Sequence, residues 1–382
     1  MLRYWFLICF VASTALLAIL NSFYKLGPVI DSQYLAANTA RFIARDSRAR
    51  HAFDINSAPS VKGIALSHDD SEIWATHLLS AKAGVSVFDA KTGALVKKIA
   101  LDGGGGVEII FSENGKKAYV SQMETGRIFE IDQQTKKILR IFSANGVWTK
   151  ALALSADGAT LFASNWLGDD ISEIDIASGS LVRKIKTVRT PRGIYATRDG
   201  KYLYIAGFEN GDLEKISLET LKRKIIFTSG GALRHIVADE ASESLFISDM
   251  GRNMIWKVSL ADDSFTEFVS TDINPNTIAL SPDKKIIFVS CRGKNFSTTN
   301  YYVPGPEWGT VLSFDALSGR MLDAVVAGNQ PTALDISSDG SRMVFSDFLD
   351  ARIEVFDIPS YIKLSHGDNS AVRAYKDKIK KK

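Results

Sequence analysis

Apolar and polar residues alternate along this chain in short runs that recur about every 42 residues. Each run reads roughly Ile-Ala-Leu-Ser-x-Asp-Gly, and Phe/Tyr-Val-Ser follows a few residues later. Alternation with β-branched and aromatic residues indicates β-strands, and Asp-Gly indicates a tight hairpin turn. The seven copies begin at Val61, Gly106, Thr149, Pro191, Leu233, Pro275 and Pro331.

A period near 42 residues built from short strands predicts an all-β fold, a seven-bladed β-propeller. In the fourth copy the four predicted strands lie in Gly193–Thr197, Tyr202–Ala206, Gly211–Ser217 and Lys222–Thr228. The last copy supplies only three strands. We therefore expect the segment Ala52–Asn56 to complete the seventh blade and close the ring, which removes two exposed sheet edges.

The N-terminus predicts a membrane segment ahead of the propeller. Tyr4–Tyr24 is 21 residues without a charge, and about 1.5 Å per residue gives roughly 30 Å, enough to cross a bilayer. We expect an uncleaved signal-anchor helix in residues 1–30, a linker in 31–50, the propeller in 51–360 and a basic tail in 361–382. The propeller would then lie on the periplasmic side of an inner membrane. The alternative is a cleaved signal peptide and a secreted protein.

The charge is divided between the body and its ends. The net charge is +3, with about +4 on residues 1–50, about +5 on residues 373–382 and about −6 on the rest. An acidic body argues against a nucleic-acid binder. The Lys-rich C-terminus is expected to be a disordered tail.

One mouth of the propeller channel is expected to be basic. The second position of each repeat should ring that mouth, and four of the seven residues there are basic on an acidic body. These residues are Lys62, Val107, Lys150, Arg192, Arg234, Asn276 and Thr332. We interpret them as a positive funnel for an anion, the alternative being ordinary polar loop residues.

A second set of residues follows the small residue that ends the second strand of each blade, which is Ser or Thr in six copies and Ala206 in the fourth. It contributes Asn165, Asp249 and Asp347, and then a mostly apolar set that includes Trp166, Phe208 and Phe348. The sixth repeat carries a 14-residue insertion on the same face, with Arg292, Tyr301, Tyr302 and Trp308. A loop of this composition predicts a lid over the mouth or a plug in the channel. The predicted ligand-binding set is Lys62, Lys150, Arg192, Arg234, Asn165, Trp166, Arg292, Tyr301, Tyr302, Trp308 and Asp347.

Three residues are candidates for acid–base chemistry at the mouth, namely His77, His235 and Asp249. Hydrogen bonding without catalysis is the alternative for the histidines, and fixing a loop is the alternative for Asp249. No His-x-His or Glu-x-x-His spacing occurs, so no metal is predicted. No Cys-x-x-Cys-His occurs either, which excludes covalent c-type haem. No cofactor is predicted.

The repeats resemble the YVTN family of seven-bladed bacterial propellers. The residues that carry the resemblance are the Ile-Ala-Leu-Ser-Pro-Asp block at 278–283, Phe288-Val289-Ser290, Val85-Ser86-Val87-Phe88-Asp89 and Thr92-Gly93. The resemblance covers residues 52–360 and implies a periplasmic or surface binding protein. By fold it also implies a likeness to lactonases, the methylamine dehydrogenase heavy chain and a haem-d1 domain. No catalytic motif of these proteins is matched here.

The sequence thus favours a membrane-anchored, extracytoplasmic binding or scaffold protein. Its basic, aromatic channel mouth would hold an anionic small molecule or a protein partner. The first alternative is a lactonase- or lyase-like enzyme that uses the same mouth. The second is a redox or haem-associated protein.

Overall fold

The chain folds as a ring of seven four-stranded antiparallel sheets. The computed structural model describes residues 47–296, 302–367, 372 and 374–381. The predicted helix in residues 1–30 lies outside this range. Each sheet is one blade, and its strands follow one another from the centre outwards.

The strands of blades 1 to 4 are as follows. Blade 1 contains β2 (Val61–Leu66), β3 (Glu72–His77), β4 (Val85–Asp89) and β5 (Leu95–Ile99). Blade 2 contains β6 (Ile109–Phe111), β7 (Lys117–Gln122), β8 (Arg127–Asp132) and β9 (Ile138–Ser143). Blade 3 contains β10 (Thr149–Leu154), β11 (Thr160–Asn165), β12 (Asp170–Asp175) and β13 (Leu181–Lys186). Blade 4 contains β14 (Pro191–Ala196), β15 (Tyr202–Gly207), β16 (Asp212–Ser217) and β17 (Arg223–Thr228).

Blades 5 to 7 repeat this plan. Blade 5 contains β18 (Leu233–Asp239), β19 (Ser244–Asp249), β20 (Met254–Ser259) and β21 (Phe265–Ser270), with a short 3₁₀ turn at Glu240–Ser242. Blade 6 contains β22 (Pro275–Leu280), β23 (Ile286–Cys291), β24 (Thr310–Asp315) and β25 (Met321–Val326). Blade 7 contains β26 (Pro331–Ile336), β27 (Arg342–Asp347), β28 (Arg352–Asp357) and β1 (Arg50–Asn56). Two short helices follow, α1 (Tyr361–His366) and α2 (Tyr375–Lys378).

The N-terminal strand closes the ring as the sequence predicts. Strand β1 pairs antiparallel with β28, from Arg50 opposite Asp357 to Asn56 opposite Arg352. The seven-bladed all-β architecture is therefore confirmed. Since residues 47–381 contain the closing strand and the core clusters, this part of the chain holds the contacts of a complete domain.

The Ser-x-Asp-Gly motif builds the turn between the first two strands of a blade. In blade 3 the Ser155 hydroxyl donates to Asp157 at 2.5 Å and accepts from the Thr160 amide at 2.9 Å. Gly158 takes the left-handed conformation, with φ of 67°, which suits glycine because it lacks a Cβ atom. We call the side of the ring that carries these turns the turn face. The side on which the inner strands begin is the ring face.

The core is divided among the blade boundaries. Seven clusters of buried apolar residues each join side chains of two neighbouring blades. Between blades 1 and 2, for example, Trp74 and Val87 pack with Ile109 and Phe129. Each sheet packs against a neighbouring sheet on both of its faces. The two middle strands of a blade therefore consist mostly of apolar residues.

The C-terminal segment differs from the disordered tail that the sequence predicts. It runs along the outer edge of blade 6, where Tyr361 donates to Asp315 at 2.5 Å and Arg320 donates to the carbonyl of Ser365 at 2.7 Å. Further along, Tyr375 donates to Asp272 at 3.1 Å. A charge-rich composition predicts a solvated tail, but the contacts of Tyr361 and Tyr375 hold this segment against the propeller. The segment covers the edge strand β25, which would otherwise present unpaired backbone groups.

Candidate functional site

A bulge at the start of the inner strand directs side chains into the channel. In six of the described blades the pairing between the first two strands shifts just after the first residue, as between Leu233 and Ile236 in blade 5. A bulge bends its strand and re-aims the residue that it inserts. The residue inserted here is the second position of the repeat, which the sequence predicts to ring the channel.

A Ser or Thr near the end of the second strand holds this bulge in the blades other than blade 4, which has Ala206 at that position. The Ser248 hydroxyl accepts from the His235 amide at 3.1 Å and donates to the carbonyl of Asn276 in the next blade at 2.9 Å. Thr76, Ser121, Ser290 and Ser346 donate to the next blade in the same way. The hydroxyl thus joins neighbouring blades beneath the second-position side chains.

The structure gathers three of the four predicted basic residues around one cavity. Lys62, Arg192 and Arg234 line a channel cavity of about 420 Å³, together with Asn276 and Thr332. We call these three residues with Lys150 the basic ring. The Lys150 ammonium is turned toward an aromatic pair, 3.4 Å from the centre of the Trp166 ring and 5.2 Å from that of Trp148.

Glu108 belongs to this site and is missing from the sequence prediction. Its carboxylate also lines the cavity, and Arg192 Nη1 lies 3.6 Å from Glu108 Oε2. A signal is present in the sequence. The third repeat position is Gly, Ala or Thr in five copies, and only Glu108 and His235 are large and ionisable.

Two buried donors at the cavity have no acceptor among the described residues. They are Arg192 Nη1 and Asn276 Nδ2. The side-chain oxygen Oδ1 of Asn276 is already used, because it accepts from Arg234 Nε. A buried donor without an acceptor is costly, which makes such a pair of groups suitable for a ligand that brings acceptors.

Burial and like charges together depress the basicity of the ring. Burial, followed by the charges of Arg234, Arg292, Arg192 and Lys150, lowers the pKa of Lys62 well below its usual range. Burial, followed by Arg192 and Arg234, lowers the pKa of Lys150 to about 6. Burial raises the pKa of Glu108 despite the nearby cations. The site is therefore short of negative charge, and an anion would relieve the repulsion.

The three catalytic candidates occupy separate environments. His235 lines the cavity, where Nδ1 accepts from the Ile278 amide at 3.4 Å. Burial, followed by Arg192 and Arg234, lowers its pKa to about 3. His77 is fully buried, with Nε2 2.8 Å from the Ser86 hydroxyl, and burial lowers its pKa to about 4.

Asp249 fixes a loop. Its carboxylate accepts from the amides of Ala232, Gly251 and Arg252 at 2.8 to 3.1 Å, and from the Trp256 indole at 3.1 Å. It is fully buried and lies outside the cavity lining. The structure thus separates His77 and Asp249 from the cavity that holds His235.

Asn165 and Asp347 are likewise inside the blades rather than in the channel. Asn165 accepts from Thr149 and donates to Asp170 and Ser172, all within 2.8 Å. Asp347 accepts from the Gly328 amide and from Arg352, both at 2.8 Å. Both side chains hold the strands of their own blade together.

An apolar cap covers part of the ring face. It consists of Leu78, Val107, Phe348 and Leu349, against which Met123 and Tyr302 pack. The Lys62 ammonium lies 5.2 Å from the centre of the Phe348 ring, directly below this cap. Arg292, from the start of the insertion, is buried and donates to Gln330.

The end of the insertion is held by the C-terminal segment. The Trp308 amide donates to the carbonyl of Ile379 at 2.7 Å, and the Lys381 ammonium lies 4.4 Å from the centre of the Trp308 ring. Trp308 is thus buried away from the cavity. Tyr301 lies outside the described residues.

Among the residues described, one trio has the donor set of a metal site. Ligand atoms of His51, Asp54 and Glu354 lie within 4.8 Å of one another in blade 7. Arg352 lies 3.5 Å from Glu354 and 4.0 Å from Asp54. Because a guanidinium already supplies positive charge there, the trio is best described as a charge network of the closing blade.

No helix in the described part of the chain is both long and apolar enough to cross a membrane.

No protein-family model matches the chain. Antigen Lp49 of Leptospira interrogans serogroup Icterohaemorrhagiae serovar copenhageni (strain Fiocruz L1-130) is 34% identical over 289 residues. The match covers 72% of this chain, and the chain spans 62% of the length of that relative.

Two solved structures share the fold. Kuenenia stuttgartiensis hydrazine synthase has a TM-score of 0.67 at 18% identity, covering 78% of this chain and 96% of that one. The Cps50 β-propeller domain of Myceliophteria thermophila has a TM-score of 0.64 at 13% identity, covering 81% of this chain and all of that one. At this identity the likeness concerns the β-propeller fold alone.

Proposed function

We propose that this protein is a membrane-anchored, extracytoplasmic binding protein that holds an organic anion in its channel. The observation that carries the proposal is the pair of buried donors, Arg192 Nη1 and Asn276 Nδ2, on residues that line the cavity and with no hydrogen-bond acceptor in the described part of the chain. An anion would accept from both and sit beside Arg234 and Lys62. Charge-assisted hydrogen bonds of this kind are the strong ones.

The site favours binding over hydrolysis. An enzyme of the lactonase or lyase type needs a base whose pKa lies near the working pH. His235 is held neutral by burial and by the guanidinium groups, and its described ring contact is with a backbone amide. His77 and Asp249 lie outside the cavity lining. Of the three predicted candidates, only His235 lines the cavity, and its pKa of about 3 makes it a weak base at neutral pH.

The extracytoplasmic location is supported by two observations of different kinds. The apolar segment Tyr4–Tyr24 has the length of a signal anchor. The 34% identical relative is an antigen by name, and the resemblance of the repeats to YVTN propellers points the same way.

Calorimetric titration of residues 47–382 with butanesulfonate tests the anion site. This probe keeps its charge at all pH values used. We expect saturable binding that Arg192→Ala/Arg234→Ala weakens by at least about a hundredfold, because each charged hydrogen bond contributes about 1.5–3 kcal/mol. The matched control is Arg189→Ala/Arg198→Ala, which removes two exposed arginines. Equal binding by both double variants would overturn the proposal.

A further inference from the structure

The channel cavity changes character along its length. At the basic ring it is lined by charged and polar groups. Most residues along the rest of its wall are apolar, but Asp335, whose carboxylate accepts from the Leu66 and Ile336 amides, lies among them. The apolar wall comes from inner strands of several blades and includes Ile64, Leu66, Phe111, Val237, Ala279 and Leu280. Of these, Phe111, Val237, Ala279 and Leu280 keep accessible surface. Apolar surface that stays accessible inside a channel is costly unless a ligand covers it.

The cavity extends from the basic ring toward the turn face. Its lining reaches His68, which is exposed at the turn between β2 and β3. On the opposite side the apolar cap, including Phe348 and Val107, lies over the basic ring. A ligand that enters from the turn face therefore meets apolar wall first and positive charge at the end.

The chain leading to the N-terminus also leaves the propeller at the turn face. Arg50 pairs with Asp357, and Asp357 pairs with Arg342 at the turn-face end of β27. The segment before Arg50 contains the predicted membrane helix. A membrane anchor in that segment would hold the propeller close to the bilayer.

We infer that the ligand of the channel is a single-chain anionic amphiphile drawn from the bilayer. Its head would reach Arg192, Arg234 and Asn276, and its chain would lie along the apolar wall toward His68. For the anionic head group this inference rests on the proposed function. The hydrocarbon chain of the ligand is what it adds. Charge complementarity fixes the end at which the head sits, and the proposed membrane anchor makes the bilayer the nearest source.

The length of the wall sets the length of chain that fits. Lys62 and Leu66 mark the two ends of β2 near the cavity, and four residues of strand span roughly 13 Å. A volume of about 420 Å³ falls in the range of small-molecule sites. We therefore expect affinity to rise with each added methylene and to level off once the chain spans the wall.

A homologous series tests the chain separately from the head. Residues 47–382 are titrated with methane-, butane-, hexane-, octane- and decanesulfonate below their micelle concentrations, and with octanol as a neutral control. We expect about fourfold tighter binding per methylene, since a buried methylene contributes about 0.8 kcal/mol. Octanol should bind at least about a hundredfold more weakly than octanesulfonate.

Two wall variants locate the chain. Ala279→Phe fills the wall, and we expect it to weaken decanesulfonate binding by more than about tenfold while butanesulfonate binds as before. Leu280→Gln places an amide on the wall and should reduce the gain per methylene without filling space. Cooperative thermal unfolding of each variant checks that the domain is intact. Should Ala279→Phe fail to fold, Leu280→Gln alone carries the test.

The outcomes separate the two proposals. An affinity that is independent of chain length overturns the amphiphile and leaves the anion site. Failure of every sulfonate to bind overturns both. A third arm uses the full chain with vesicles containing a fluorescent fatty carboxylate. Transfer from the vesicles should exceed that seen with residues 47–382, and equal transfer would overturn the bilayer as the source.

Discussion

Arg192 reaches across the channel from blade 4 toward Glu108 of blade 2, and Nη1 stops 3.6 Å from Oε2. This separation is longer than a hydrogen bond, so Glu108 offsets the charge of the basic ring without satisfying the guanidinium. Burial raises the pKa of Glu108, and Arg192 and Arg234 counteract that effect. The carboxylate thus competes with any anion that enters the cavity.

Removing this carboxylate charge should strengthen anion binding. We expect Glu108→Gln to bind butanesulfonate about tenfold more tightly at pH 7, because a charge a few ångströms away is worth about 1–4 kcal/mol at an intermediate dielectric. Calorimetric titration measures the change. Glu113→Gln, on the exposed turn of the same blade, is the matched control. Weaker binding by Glu108→Gln would show that the carboxyl group contacts the ligand.

Lys150 should make both stability and binding depend on pH. Its pKa falls from 10.5 in the unfolded chain to about 6 in the folded protein, so between these values the unfolded chain binds more protons and stability rises with pH. We expect Lys150→Met to stabilise the domain by up to about 6 kcal/mol at pH 6, since each tenfold change in proton affinity corresponds to about 1.4 kcal/mol. The gain should vanish toward pH 10.5, as measured by urea unfolding.

The same titration predicts tighter anion binding in acid. Protonation of Lys150 as the pH falls through about 6 adds a positive charge to the basic ring. Butanesulfonate should therefore bind more tightly at pH 5 than at pH 8 in the parent protein. Lys150→Met should reduce this difference, and the remainder comes from Lys62 and Glu108, whose pKa values are also shifted. Lys186→Met, whose side chain is 74% exposed in the same blade, serves as the control and should change neither property.

The hydroxyl groups that bridge the blades should contribute to stability. We expect Ser248→Ala to lower the free energy of unfolding by about 1–2 kcal/mol, because the His235 amide and the Asn276 carbonyl both lose a partner. Ser270→Ala, on the exposed outer strand of the same blade, should change it by less than about 0.5 kcal/mol. Urea unfolding of both variants gives the comparison, and equal values would contradict the bridging role.

The C-terminal segment should order the end of the insertion. Deleting residues 372–382 removes the Ile379 carbonyl that accepts from Trp308 and the Lys381 ammonium above its ring. We expect amide hydrogen exchange to accelerate in residues 302–309 and in β25, while strands of blades 2 to 4 exchange as before. Unchanged exchange in residues 302–309 would show that the insertion holds its own position.

The sequence predicts the propeller well because the strand and turn motifs are local and recur from one repeat to the next. The alternation around Ile278–Ser281 and the turn at Ser155–Gly158 each specify a strand end or a hairpin without reference to distant residues. The closing role of β1 also follows from the repeat, since one strand is missing at the other end. The course of the C-terminal segment could not be predicted in this way, because it depends on single contacts such as Tyr361 with Asp315.

The site is predicted only in part. Repeat position places Lys62, Arg192 and Arg234 together, and the structure confirms that they line one cavity. The direction of a side chain depends on the bulge and on its partners, which spacing does not reveal. Asn165 and Asp347 therefore point into their blades, and Lys150 lies against Trp166.

Closure of the ring by β1 has a mechanical consequence. A pull on the segment before Arg50 acts along the strand, so the hydrogen bonds between β1 and β28 are loaded together in shear rather than broken one after another. The register from Arg50 opposite Asp357 to Asn56 opposite Arg352 shares this load. A propeller held by its N-terminus could thus bear tension at the very strand that completes it.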